Sequence, residues 1–225
     1  MGEKQIPLIE IKNVSKKFKN EQVLDGINLS LYDDKIYGFV GRNGSGKSVL
    51  FKMICGYILP DEGKIIVEGK EIGKDVDFPQ DLGALIENPG FIWYQSAYGN
   101  LLYLAKIRNR ISGQEVKEAI RQEVKEAIRQ VGLDPENKKW VGKYSLGMKQ
   151  RLGIAQDIME KPSVLILDEP MNGLDENGVE DIRRLILEYR RPGRIILLTS
   201  HNREDIDTLC DKVFYLKRGK VSEEA

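Results

Sequence analysis

Two cysteines and a single histidine are all that 225 residues offer to disulfide or soft-metal chemistry. Cys55 and Cys210 lie far apart, with no CxxC or Cys/His ligand spacing, so two reduced, partly buried thiols are expected, as suits a reducing cytosol. Net charge is missing too: 35 Lys plus Arg balance 35 Asp plus Glu. No strong field draws in nucleic acid or an anionic membrane surface, so nucleic acid is not an expected partner, although a local basic patch stays open. No apolar run approaches the roughly 18 residues that span a bilayer. The opening MGEKQIPLIE lacks the apolar core of a signal peptide. Any membrane role must therefore come through a partner. The chain is otherwise that of an ordinary soluble globular protein, 41% hydrophobic and 31% charged, able to bury the core of one domain.

Apolar periodicity divides the chain. Strands are expected at 8–14, 23–31 and 35–40, with a glycine-rich turn from Gly41, a helix at 47–56 and a glycine-bounded strand at 63–69. From Ser96 to Met159 the pattern gives three helical stretches and no strand, which marks an inserted helical subdomain between core segments 1–95 and 160–225. Thereafter come buried strands at 163–167 and 194–199 around an amphipathic helix at 176–189, then a closing hairpin at 211–221 turning near Arg218-Gly219. Residues 115–122, EVKEAIRQ, recur unchanged at 123–130. Two copies of eight residues are too short for a solenoid. They fit one helix with an apolar stripe of Val116, Ile120, Val124 and Ile128, and with Glu118 and Glu126 in reach of Arg121 and Arg129.

Chemistry concentrates at two places. Gly41-Arg42-Asn43-Gly44-Ser45-Gly46-Lys47-Ser48 fits GxxxxGK[ST] after an apolar strand and before a helix. Glycines let backbone N–H groups curl around phosphates, the helix start adds positive potential, Lys47 reaches the β- and γ-phosphates, and Ser48 ligates Mg²⁺. Val164 to Leu167 form a second apolar run that ends in Asp168-Glu169-Pro170. Two acids at the C-terminal end of a buried strand sit where α/β sheets place ligands. Asp168 suits Mg²⁺, through water, and Glu169 suits the attacking water.

Ahead of that strand, Tyr144-Ser145-Leu146-Gly147-Met148-Lys149-Gln150-Arg151 resembles the LSGGQ signature of ABC ATPases, departing from it at Leu146 and Met148. Read by itself, Ser145 is the N-cap of a helix from Leu146 to Met159. Asn172-Gly173-Leu174-Asp175 resembles the family's D-loop, and is equally a turn capping the next helix. His201 follows the strand 194–200 as the family's switch histidine does. Phe18 sits where the family stacks an aromatic ring on adenine, or is simply an apolar residue at a strand end. The resemblance, in which these motifs keep the family's order over nearly the whole chain, implies an α/β P-loop NTPase. Its RecA-like core would carry an antiparallel β subdomain and an inserted helical subdomain. It implies an ATPase whose cassettes pair head to tail, so that Ser145 and Gly147 of one subunit cap the γ-phosphate on the other and Asp175 meets the dimer seam. ATP and Mg²⁺ are the implied ligands, and Lys47, Glu169 and His201 the catalytic set.

Glu87 stands where the family usually has the Q-loop glutamine that touches Mg²⁺ and relays to the permease. A carboxylate there ligates metal but donates no hydrogen bond. ALIENPGF with YSLGMKQRLGIA is similar to the bacitracin-export and lantibiotic-immunity branch, which implies a separate permease, a peripheral place on the inner face of the cell membrane, and peptide-antibiotic cargo. Relatives in this branch often continue past the end of this sequence. The aromatic stretch 90–103 lies where the family docks the permease, with Phe91, Ile92, Trp93 and Tyr94 in an apolar groove; core packing through Leu101, Leu102 and Leu104 explains it equally well. A kinase or GTPase has no place for the signature or His201 and would need a guanine-reading motif, which is absent. A non-catalytic module would have lost Glu169 or Lys47. A non-transport ABC ATPase acting on DNA or ribosomes is the alternative, though such proteins usually carry two cassettes or a coiled-coil insertion.

Overall fold

The computed structural model describes residues 6–87, 90–108 and 114–223. Two sheets organise it. Strands β1 (Ile9–Phe18), β2 (Glu21–Leu31), β4 (Glu62–Val67) and β5 (Lys70–Glu71) form an antiparallel sheet in the order β2-β1-β4-β5. At its centre Ile9 pairs with Leu31 on one side and Val67 on the other. β1 extends past the expected end at Val14. Register shifts after Ile11 and Val14, with Asn13 at φ 49°, are bulges that break the period-2 pattern, so Ser15–Lys17 look like loop yet go on pairing.

The second sheet comprises β3 (Lys35–Val40), β6 (Leu82–Leu85), β7 (Val164–Asp168), β8 (Ile195–Thr199), β9 (Lys212–Lys217) and β10 (Lys220–Glu223), ordered β10-β9-β3-β8-β7-β6. All its neighbours run parallel except the β9/β10 hairpin. β7 and β8 are apolar on both faces because both faces are covered: Val164, Ile166, Ile195 and Leu197 enter one core, and Leu165, Leu167, Ile196 and Leu198 the other. The first core also takes α1 (Lys47–Ile54) and the antiparallel sheet; the second takes α2 (Ala97–Arg108), α3 (Gln114–Gln130), α4 (Leu146–Ile158), α5 (Glu176–Tyr189) and α6 (Arg203–Leu209).

Between β6 and β7 the described elements are helical. The duplicated octapeptide makes the single helix α3. Ile120, Val124 and Ile128 are buried along its stripe, and Glu118–Arg121 and Glu126–Arg129 pair at 3.2 and 3.7 Å. The side chain of Val116 lies outside the described residues. Helix α6 is not apparent in the sequence: its seven residues, REDIDTL, are too few and too charged to show a helical stripe. No helix among the described residues is long and apolar enough to cross a membrane.

Candidate functional site

Parallel β3, β8 and β7 are consecutive neighbours, so the loops leaving their C-terminal ends share one edge of the sheet. β3 runs into the glycine loop. Gly44 and Gly46 have φ of 76° and 103°, a left-handed region that strains other residues. A Cβ on Gly41 would fall 2.5 Å from both Leu216 O and Ser45 Oγ, and one on Gly46 2.8 Å from Leu24 Cδ2, so the loop is also closely packed. Gly46 opens α1 with no side-chain cap and no acid in the first turn, which leaves the N–H groups of the helix start for an anion. Lys47, buried, folds its ammonium back to donate to Gly41 O at 2.7 Å. Ser45 Oγ is buried without a hydrogen bond, a polar atom that calls for a partner.

At the end of β7, Asp168 accepts from Ser48 Oγ at 2.7 Å and from Thr199 Oγ1 at 2.6 Å. Thr199, on the intervening strand, also accepts from Glu169 N at 2.9 Å. Glu169 has φ 54°, a costly conformation for a residue with a Cβ. It is held from both ends, since buried Gln150 of α4 donates to its carbonyl at 2.9 Å. Its Oε2 accepts from His201 N at 3.2 Å. Its Oε1 stands 3.3 Å from His201 Nε2, close without forming a hydrogen bond. The structure thus brings together Gly41–Ser48, Asp168, Glu169 and His201. Thr199 escaped the sequence reading, where the one available signal was a polar residue ending an otherwise apolar strand; Gln150 was read only as part of the signature stretch, and its hold on Glu169 was not foreseen.

Ser145 and Gly147 lie at the start of α4, the helix whose Gln150 reaches Glu169. They line a cavity of about 530 Å³ with Met148, Gly173, Leu174 and Asp175, whose walls include no residue of the 41–48 loop. Ser145 is the N-cap of α4, accepting from Met148 N at 3.2 Å, and Asp175 the N-cap of α5, accepting from Gly178 N at 3.0 Å. A Cβ on Gly147 would fall 2.6 Å from Gly173 O, so signature and D-loop segments touch within one chain. Phe18 ends β1 and is 42% exposed. Glu87 is not gathered in with Asp168. Its carboxylate is 68% exposed and lies 2.5 Å from Lys52 Nζ on α1, and no group of three or more His, Cys, Asp or Glu able to hold a metal occurs among the described residues.

The aromatic stretch divides. Leu101 is buried and Phe91, Leu102 and Leu104 pack partly against the core. Trp93 and Tyr94 are 64% and 53% exposed, and the Trp93 ring lies edge-on to Tyr94 and to Trp140. Ile92, Tyr94 and Tyr103 line a groove of about 360 Å³. Both cysteines are free, and burial pushes each thiol up to about 12, so neither is a nucleophile at neutral pH.

A parallel sheet that delivers a phosphate-type glycine loop, a hydroxyl–carboxylate pair and a carboxylate–histidine pair to one edge defines a P-loop nucleoside triphosphatase. Comparison narrows this. The ABC transporter family profile matches residues 24–172, more than half of the chain. The chain is 41% identical over 214 residues to the uncharacterized ABC transporter ATP-binding protein YybJ of Bacillus subtilis, covering 95% of this chain and 94% of that protein. It is 40% identical to the bacitracin transport ATP-binding protein BcrA of Bacillus licheniformis, over 96% of this chain and 69% of that one. With the lantibiotic transport ATP-binding protein SrtF of Streptococcus pyogenes it shares 34%, over 95% and 89%. Its fold superposes with TM-score 0.83 at 22% identity on a dimeric post-hydrolysis state of the ATP-binding cassette MJ0796 bound to ADP and Pi, covering 96% and 97% of the two chains. The chain belongs to the ABC transporter family, as its ATP-binding and ATP-hydrolysing subunit.

Proposed function

We propose that this ATPase works as a nucleotide-closed homodimer with Mg²⁺, seated on a separate permease at the inner face of the cell membrane, and that it serves export of, or immunity to, peptide antibiotics or similar amphipathic molecules. The observation that carries the ATPase chemistry is the meeting of Ser48, Asp168, Thr199, Glu169 and His201 beside the glycine loop. Cargo class rests on likeness to BcrA and SrtF. Residues 1–225 act as one cassette, with 96–159 as the helical lobe that carries the signature to the partner and 1–95 with 160–225 as the core.

The donor set fits Mg²⁺. Ser48 and Asp168 offer oxygen alone, 2.7 Å apart, and magnesium characteristically takes one or two protein groups and fills its shell with phosphate and water. Ser48 would hold it directly and Asp168 through water, where it would neutralise charge on the β- and γ-phosphates. Lys47 turns from Gly41 O to those phosphates, and the backbone of Arg42, Asn43, Gly44, Ser45 and Gly46 encloses them. Phe18 stacks on adenine. Glu169 orients the attacking water and accepts its proton, while His201 holds Glu169 and the γ-phosphate in line. The partner subunit's Ser145 and Gly147 close the site, with Asp175 at the seam. Glu87 would bring a further carboxylate to the metal, with one of its oxygens held by Lys52.

Glu169→Gln keeps the shape of the side chain and removes the base. ATP should still bind and trap a dimer in gel filtration, while phosphate release falls by a factor of roughly 10² or more. Near-normal turnover in this variant would remove Glu169 from its role.

A further inference from the structure

His201 is an exposed side chain in the short connection between β8 and α6, its side chain 59% exposed. Such a residue keeps its aim only if the backbone on both sides is held. Ser200, buried, supplies that hold: its hydroxyl accepts from Asn202 N at 3.0 Å and donates to Asp205 Oδ2 at 2.6 Å. Asp205 is 1% exposed, and its Oδ1 accepts from Arg183 Nε at 2.9 Å and Nη2 at 2.6 Å. The guanidinium, on α5, is fixed in turn by Glu180 at 2.7 Å and Glu204 at 3.0 Å. Asn202 adds a cap on α6, accepting from Glu204 N at 3.0 Å.

We infer that Ser200, Asp205 and Arg183 form a positioning relay that aims His201 at Glu169 and ties that aim to helix α5. Desolvating a carboxylate and a guanidinium together gains little stability over an apolar pair of the same volume. What the pair adds is direction, because the paired bonds from Arg183 and the bond from Ser200 converge on one buried carboxylate and together restrict its orientation. The relay's far end stands on the helix that Asp175 caps, so a displacement of α5 is passed to His201 through rigid, buried contacts.

The inference rests on the proposed role of His201, and one set of variants separates the two. Ser200→Ala keeps both partners of the Arg183–Asp205 pair and removes the hydroxyl that joins them to the His201 backbone, leaving Asp205 Oδ2 and Asn202 N without that partner. ATP affinity should hold and the melting temperature should fall by only a few degrees, the cost of the orphaned buried acceptor, while kcat falls roughly ten- to a hundredfold, since small misplacements of a reacting group cost that much. Ser200→Thr, which restores a hydroxyl, should recover most of the rate. In single-turnover phosphate release, Ser200→Ala should have no further effect in a His201→Ala background, because residues acting through one another are not additive. Full activity of Ser200→Ala, or an undiminished effect of it beside a slow His201→Ala, overturns the relay and leaves the role of His201 standing. Normal hydrolysis by His201→Ala overturns both.

Discussion

The carboxylate of Glu87 and the ammonium of Lys52 meet on α1, four residues beyond Ser48. Positions i and i+4 share a helix face, so Glu87 is moored one turn from the hydroxyl proposed to hold Mg²⁺. Glu87 is largely exposed and Lys52 only partly so, and a pair this open to solvent contributes little to stability, less than about 1 kcal/mol. Glu87→Gln should therefore leave the urea midpoint nearly unchanged. It should raise the Mg²⁺ concentration for half-maximal hydrolysis by about two- to threefold, since it removes a negative charge near the cation and frees a positive one. An unchanged Mg²⁺ requirement would show that the carboxylate lies beyond reach of the metal. At this scale Gly41–Ser48 and Asp168-Glu169 were legible because their spacing is local. Thr199 was not, because its partner Asp168 lies 31 residues away and only the β7/β8 register brings them level.

Helices α4 and α5 each begin at a side chain with two uses. Ser145 and Asp175 satisfy an otherwise orphan N–H at their own helix start, and both are proposed to face the partner subunit. Stability and assembly can be told apart at Asp175. Asp175→Ala should lose the cap and cost about 1 kcal/mol in denaturant unfolding. Asp175→Asn, an equally good cap, should unfold like the parent, so any loss of ATP-driven dimerisation in it reports the seam alone. The amphipathic pattern of α5 showed its ends in the sequence. That of α6 did not, for want of length, and with it went the Asn202 cap and the seat of Asp205.

For the whole molecule, the cavity lined by Ser145 and Gly147 includes no residue of the glycine loop, and a second copy is proposed to bring the two together. Trp93 and Tyr94 face outward while Phe91, Leu101, Leu102 and Leu104 pack inward, so the stretch serves both the core and a surface. Single cysteines at Trp93 and Tyr94, in a chain whose own thiols are buried or partly buried, should crosslink to the proposed permease when the two are expressed together. The same pair should change sensitivity to a panel of bacitracin- and lantibiotic-type peptides. Absence of crosslinks from both positions counts against docking there, and unchanged sensitivity counts against the cargo class.

The sequence by itself determined the phosphate loop, the acidic pair, the order of motifs and the alternation of buried strands with helices, because each is written in neighbouring residues through spacing, glycine and apolar period. The tertiary structure decided what those residues touch. It placed β8 between β3 and β7, so that Thr199 joins Asp168 to Glu169. It moored Glu87 to Lys52, and it buried an Arg183–Asp205 pair beneath His201. These are contacts between segments far apart along the chain, and only strand order and close packing bring them within hydrogen-bonding distance.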